Sequence, residues 1–421
     1  MKPIKLFTYS LALVAAFSVA ILPNAANANG LGAGGKTSSK ISGSVRYKDY
    51  ASCDRPSPGH VGCLAIRRAT FVNGIRQHAL SPLTGTTFGA NALRRAYGIT
   101  AVGARYKVIA IVDAEHSASA YTDLNDYRKM YGLPELANCG TEGEAITQLP
   151  SGKDTCFVQV NQQGVVDHST HTTDSGWAQE IALDVELATA VCPHCSILLV
   201  EAKSSAFADL NAAVATAAKF KGVTAISNSY GGPDVAEAKQ PAYAAAAAAG
   251  IAVVASAGDS GYGVSAPASF SSVIGVGGTS LVTDAGYRWS SETTWSKGGS
   301  GCSILNPRPI WQDPTITDCA GKHVVDVAAV ADPATGVAVS FEGQWYSFGG
   351  TSAAAPIVAA LFGMKANYGG APGSFLWANH DLLHDVTTGS NGRCLTTQYC
   401  TSGDGYDGPT GWGTPAGSGA F

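Results

Sequence analysis

The sequence has little charge: 14% of its 421 residues are Asp, Glu, Lys or Arg, and the formal net charge is −4. No basic run occurs, which argues against nucleic acid as a partner. Beyond the amino terminus there is no uninterrupted apolar stretch of membrane-spanning length. Scarce charge does not mean disorder here, because 45% of the residues are hydrophobic, enough for one large domain or two ordinary ones.

A local absence is more informative. Between Lys153 and Lys203 there is no Lys or Arg, while Asp154, Asp167, Asp174, Glu180, Asp184, Glu186 and Glu201 accumulate. Within this stretch "WAQEIALDVE" has helical composition and sets Glu180 and Asp184 on one face, four residues apart. A surface helix would relieve that repulsion with lysines, and apolar Trp177, Ile181 and Leu183 lie beside the pair. Two carboxyl groups held close in a partly dry place share protons, so one has a raised pKa and can serve as a general base in acid.

At the amino terminus Lys2 and Lys5 precede the apolar run "LFTYSLALVAAFSVAIL", followed by an AxA pattern at Ala26 and Ala28. This reads as a secretory signal peptide over residues 1–28, so the mature protein is expected outside the cell and free of the membrane. Residues 29–85 open on the Gly/Ser-rich "GLGAGGKTSSKISGS", have weak periodicity and read as a short extension or propeptide. Residues 86–421 read as the main domain. Ten cysteines suit an exported chain, and proximity pairs them as Cys53–Cys63, Cys139–Cys156, Cys192–Cys195, Cys302–Cys319 and Cys394–Cys400. "CPHC" at Cys192 is a bridge, a redox pair or, with His194, part of a metal site. The absence of a second CxxC counts against zinc.

Short apolar runs alternate with helical patterns from Tyr106 onward. "YKVIAIVD", "SILLVEA", "VTAISNS", "IAVVASA" and "SVIGVGG" read as buried strands, and "GWAQEIALDVELATAV", "AFADLNAAVATAAKF" and "AYAAAAAAG" as helices. Such alternation predicts an α/β fold with a mainly parallel central sheet and helices on both faces, its site at the carboxyl ends of the strands. In "YSFGGTSAAAPIVAA", Ser352 falls where a loop turns into a helix, a place suited both to an N-cap and to a nucleophile at the positive end of the helix dipole. "GDSGYG" imitates another nucleophile motif at Ser260, but no matching histidine region or all-β pattern accompanies it.

"GGTSAAAP", "SAGDSG" and "EIALDVE" together resemble the sedolisin family of serine-carboxyl peptidases, including its kumamolisin-like members. "LRRAYGI", "SNSYGG", "APASFSSVIGVGGTSL", "DVAAVADPATG" and "TGWGTP" resemble the family in the same order, from about Leu93 to Pro415. The resemblance implies a subtilisin-like fold and an acid-acting endopeptidase; a monomer is expected, though the sequence does not give the oligomeric state. In it Ser352 is the nucleophile, Glu180 the general base and acid, Asp184 the group orienting Glu180, and Asp259 a side chain of the oxyanion hole. It also implies that Ser229, Tyr230 and Gly231 bind the substrate backbone. One calcium is expected on the side chains of Asp385 and Asp407 and the backbone oxygens of Val386, Gly403 and Gly405, although Asp404 stands where the family usually has proline. The rival is a subtilase triad of Asp113, His168 and Ser352, since "HSTH" resembles the subtilase HGTH. Against it, Ser169 replaces a glycine, "TTDSG" follows His171, and Asp259 stands where a subtilase has asparagine. A secreted binding protein that keeps the scaffold without activity is the third reading. The extension is far shorter than the family's usual prodomain, which leaves the maturation route open.

Overall fold

The computed structural model describes residues 45–76, 87–153, 155–365 and 368–421. The expected signal peptide, the Gly/Ser-rich stretch and the boundary near residue 85 lie outside the described residues. All that is described belongs to one unit, Ser44–Phe421.

The centre is a nine-stranded sheet. Strands Ala252–Ser256, Val223–Asn228, Val108–Ala114, Ser196–Ala202 and Cys156–Asn161 run parallel in that spatial order. Ile274–Thr283 continues the sheet in parallel beside Ala252–Ser256, and antiparallel Trp289–Thr294 closes that edge. The five expected strands are all present. Their near-continuous apolar character has its cause in burial from both sides: every residue of Val108–Ala114 and of Ser196–Ala202 is buried.

Alternate residues of one strand feed different cores. Ile109 and Ile111 join the cluster containing helices Ser175–Val191 and Thr351–Gly363, whereas Val108, Ala110 and Val112 join the cluster under helices Phe207–Lys219 and Pro241–Ala248. Helix Ser175–Val191 starts at Asp174, whose side chain accepts hydrogen bonds from the N–H groups of Gly176 and Trp177. Both this helix and Thr351–Gly363 are packed almost wholly inside, so their polar residues have no route to water. Truncating a fully buried residue of the second, such as Phe362, would cost about 3–5 kcal/mol.

Residues 45–76 form structure that the weak periodicity did not announce. Val45–Ala51 pairs antiparallel with Ile66–Val72 over its whole length, and Ile66–Arg68 pairs in turn with Ser347–Gly349. With Val337–Phe341 and Ile75–Arg76 these make a five-stranded sheet. The ribbon is only partly buried and rich in Arg and Lys, so no clean two-residue alternation survives in its sequence. All five expected disulfides are formed, including Cys192–Cys195, which makes "CPHC" a bridge.

Candidate active site

Ser352 is the second residue of helix Thr351–Gly363 and is fully buried. The residue capping the helix is Gly350, with φ +94°, so Ser352 is not the N-cap and its hydroxyl is free for other work. That hydroxyl donates to the carbonyl of Ser229 at 3.1 Å, at the end of strand Val223–Asn228.

Glu180 and Asp184 both point from helix Ser175–Val191 into this interior, each with no exposed surface. Asp113, near the carboxyl end of the central strand Val108–Ala114, is a third buried carboxyl group. Burial first, and then the charge of Asp113, push Glu180 and Asp184 well above the usual carboxylate range. The Ser352 hydroxyl and the Ala65 N–H oppose the shift at Glu180, and the Ser229 hydroxyl opposes it at Asp184. Asp113 is itself raised by burial and by the charge of Glu201. Three carboxyl groups so placed cannot all ionise and must hold protons in common.

Asp259 lies in the loop after strand Ala252–Ser256. Its Oδ1 accepts from both the N–H and the hydroxyl of Thr351, each at 2.8 Å, while its buried Oδ2 has no hydrogen-bond partner. Burial lifts this carboxyl to about 7, against the opposing pull of the Thr351 bonds and Lys297. A Cβ on Gly350 would fall 2.7 Å from Asp259 Oδ2, so glycine here keeps open the space that this oxygen faces.

The segment expected to bind the substrate backbone is a short strand. Tyr230–Gly231 is an edge strand, and it pairs antiparallel with the chain's own Gly62–Cys63. The N–H of Leu64 donates to the same Ser229 carbonyl at 3.3 Å, and the N–H of Ala65 donates to Glu180 Oε2 at 2.7 Å.

The expected metal residues gather at the far end of the chain. Strand Leu383–His384 pairs with Thr414–Pro415, which brings the Asp385 turn to the 403–407 loop. Gly405 N–H donates to Asp385 Oδ2 at 2.8 Å and Gly403 N–H to Asp407 Oδ2 at 3.1 Å, while Thr410 binds Asp407 Oδ1 through N–H and hydroxyl at 2.9 Å each. Val386, next to Asp385, is buried. The two carboxylates draw together the turn at Asp385 and the 403–407 loop, and among the described residues no ion pair joins Asp407 to Lys or Arg, so their oxygens fit a hard cation in charge and type.

The subtilase family model matches residues 159–397. Kumamolisin of Bacillus sp. (strain MN-32) is 33% identical over 349 residues, covering 71% of this chain and 62% of that protein. Sedolisin of Pseudomonas sp. (strain 101) is 32% identical over 211 residues, covering 42% of this chain and 35% of that protein. In three dimensions the chain is similar to Pseudomonas sedolisin, a serine-carboxyl proteinase complexed with two molecules of pseudo-iodotyrostatin. That match has a TM-score of 0.64 and 25% identity over 79% of this chain and 96% of the other. The chain belongs to the subtilase family, on its sedolisin branch. It spans less than two thirds of the length of these curated relatives.

Membership in the subtilase family at large does not say which side chains lie beside Ser352. His168 is turned to a different place: its Nδ1 lies 2.8 Å from Glu201 Oε2, its ring is stacked on His116 at 4.5 Å, and His116 Nδ1 contacts the same oxygen at 2.8 Å. Burial disfavours charge on His168, but Glu201 outweighs it and raises the imidazole's pKa. Glu180 is thus the carboxyl group on which the Ser352 hydroxyl acts, while the histidine of the rival triad contacts Glu201. Sequence reasoning missed this His116–His168–Glu201 cluster, although "VEA" at the end of a buried strand was its signal. It also missed Thr351 as the clamp on Asp259, for which the only sign was the position before Ser352.

Proposed function

We propose that the chain is an exported serine-carboxyl endopeptidase that hydrolyses peptide bonds in acid. The observation that carries this reading is the pair of carboxyl environments flanking Ser352: Glu180, raised by burial and Asp113, and Asp259, lifted to about 7 with one oxygen unpartnered. Glu180 takes the Ser352 proton as Oγ attacks the substrate carbonyl. The protonated Asp259 and the helix amino terminus face the developing oxyanion, a donation that an ionised Asp259 could not make. Glu180 then passes its proton to the leaving nitrogen, and water reverses the sequence to release the acyl group. Asp184 and Asp113 position Glu180 and keep its proton affinity high. Ser229, Tyr230 and Gly231 pair with the substrate backbone as an added strand.

Asp385 and Asp407, with the carbonyls of Val386, Gly403 and Gly405, would hold one calcium, which when bound supplies charge neutralisation and cross-links the two terminal loops. Five disulfides and the amino-terminal pattern support export. The test is hydrolysis of a denatured protein by the wild-type chain and by Ser352→Ala across a range of pH. Loss in the variant and activity confined to acid are expected. Equal behaviour of the two chains would instead favour a binding protein on a peptidase scaffold.

A further inference from the structure

Near the end of strand Ser196–Ala202, Glu201 is a fully buried carboxylate whose two oxygens have different company. Oε1 accepts from the Ser117 N–H at 3.0 Å and from the Gln159 side-chain amide at 2.8 Å. Oε2 instead faces two imidazole nitrogens, His116 Nδ1 and His168 Nδ1, each at 2.8 Å. His116 Nδ1 is aligned for a hydrogen bond, whereas His168 Nδ1 is buried and has no hydrogen-bond partner despite the short distance. The two rings are stacked, 4.5 Å apart with planes at 12°, so both present Nδ1 to the same oxygen.

Three separate pieces of chain are fastened together to bring this about. The His116 N–H donates to the Thr172 carbonyl at 3.0 Å, tying the turn after Val108–Ala114 to the 161–174 loop. Within that loop Asn161 Nδ2 donates to the Asp167 carbonyl and Asp167 Oδ1 accepts from the Ser169 N–H, both at 2.9 Å, which fixes the backbone on either side of His168. His171 Nε2 donates to the Glu201 carbonyl at 3.2 Å. The donor atoms are therefore preset by the fold.

We propose that His116, His168 and Glu201 bind one divalent cation of the zinc class. One ligand atom from each of the three lies within 4.8 Å of the others. Zinc bonds of about 2 Å set tetrahedral donors about 3.3 Å apart, so the nitrogens need to part from Oε2 by about 0.5 Å. The imidazoles, 18% and 15% exposed, can swing outward by that much while Glu201 stays fixed by its Oε1 bonds, which are the outer-shell support a ligating carboxylate needs. Two imidazoles and a carboxylate suit zinc and its neighbours, not calcium, which takes oxygen. Hydrogen bonding alone would require the Nδ1–H tautomer of both rings and still leaves His168 misaligned. Three protein ligands leave a fourth position open on the side where the imidazole edges reach solvent. Glu201 is paired across the sheet with Asp113, so the ion borders the buried carboxyl groups and clamps the 161–174 loop to the ends of two parallel strands.

The test takes the full chain carrying Ser352→Ala, stripped of metal and held at about pH 7.5, where imidazole is mainly neutral, with calcium in excess. It is titrated with zinc chloride against a chromophoric zinc indicator, and one zinc per chain is expected. His116→Ala and His168→Ala, each added to that chain, are expected to weaken binding by more than the roughly 10–100-fold that loss of an outer-shell partner costs, with circular dichroism reporting folding. Exposed His194→Ala is expected to leave binding unchanged. X-ray absorption of the zinc-loaded Ser352→Ala chain, which alters nothing in the cluster, is expected to show two imidazoles on the metal. Absence of stoichiometric zinc, a metal shell without imidazole, or undiminished affinity in folded His116→Ala and His168→Ala would overturn the site and leave contact with Glu201 as the whole role of the two rings. None of these readouts uses peptide hydrolysis, so this site and the peptidase reading stand or fall separately.

Discussion

Thr351 binds Asp259 twice through one oxygen, by N–H and by hydroxyl, and so turns the other oxygen toward the space beside Gly350. The residue before Ser352 thus fixes the carboxyl group proposed to face the oxyanion. Because the bound oxygen only accepts, an amide can satisfy Thr351 with its carbonyl and offer its NH2 on the free side.

Asp259→Asn is therefore expected to keep much of the activity and to extend it to higher pH, because an amide donates whatever the pH. In the wild type the donor disappears as the carboxyl ionises near 7. Asp259→Ala is expected to lose about 10²–10³ in kcat. The profile of kcat/KM against pH separates the cases, and an unchanged alkaline limb in Asp259→Asn would remove Asp259 from the oxyanion role.

Asp113 acts through its neighbours Glu180 and Asp184. After burial, its charge is the largest influence raising both Glu180 and Asp184. Asp113→Asn removes that repulsion, so Glu180 ionises at lower pH and the acid limb should move down by about 1 unit. The shift is read from the same pH profile, with circular dichroism as the control for folding. A drop in rate with no movement of the limb would leave Asp113 a packing residue.

The buried carboxyl pair was legible because an i, i+4 acidic pair in a stretch without lysine or arginine has few explanations on a surface helix. The parallel sheet was legible because strands buried on both faces become continuous apolar runs. The placement of Leu64 and Ala65 was not, since their contacts with Ser229 and Glu180 run through backbone N–H groups that every residue except proline has. The His116–His168–Glu201 cluster joins three segments far apart in sequence, so its members carried no shared spacing.

Burial raises Asp113, Glu180, Asp184, Glu186, Asp259 and Glu292 together. In each, the folded state holds its proton more tightly than the unfolded state does. The stability these protons supply is complete below the unfolded carboxylate range and is lost as pH rises through the folded values, which for Asp259 is near 7. For Asp259 alone, with its carboxyl moved from 3.8 to about 7, the loss is on the order of 4 kcal/mol. The Tm of Ser352→Ala, chosen to avoid self-digestion, should fall from about pH 4 to pH 8. A Tm that rises over this interval would contradict the raised carboxyls.

Calcium at the carboxyl-terminal loops should show in stability without reference to catalysis. Asp385 and Asp407 approach because Leu383–His384 pairs with Thr414–Pro415, and the donors both receive come from the 403–410 loop, one of the two segments a cation would join. A site saturated at a hundred times its dissociation constant adds about 2.7 kcal/mol to the folded state. Adding a calcium chelator to Ser352→Ala should therefore lower its Tm, and restoring calcium should raise it again. Asp407→Asn removes one carboxylate charge while leaving an oxygen to accept from Thr410, so its Tm should respond far less to either treatment. If the Tm of Ser352→Ala is the same in chelator and in calcium, these loops are held by hydrogen bonds alone.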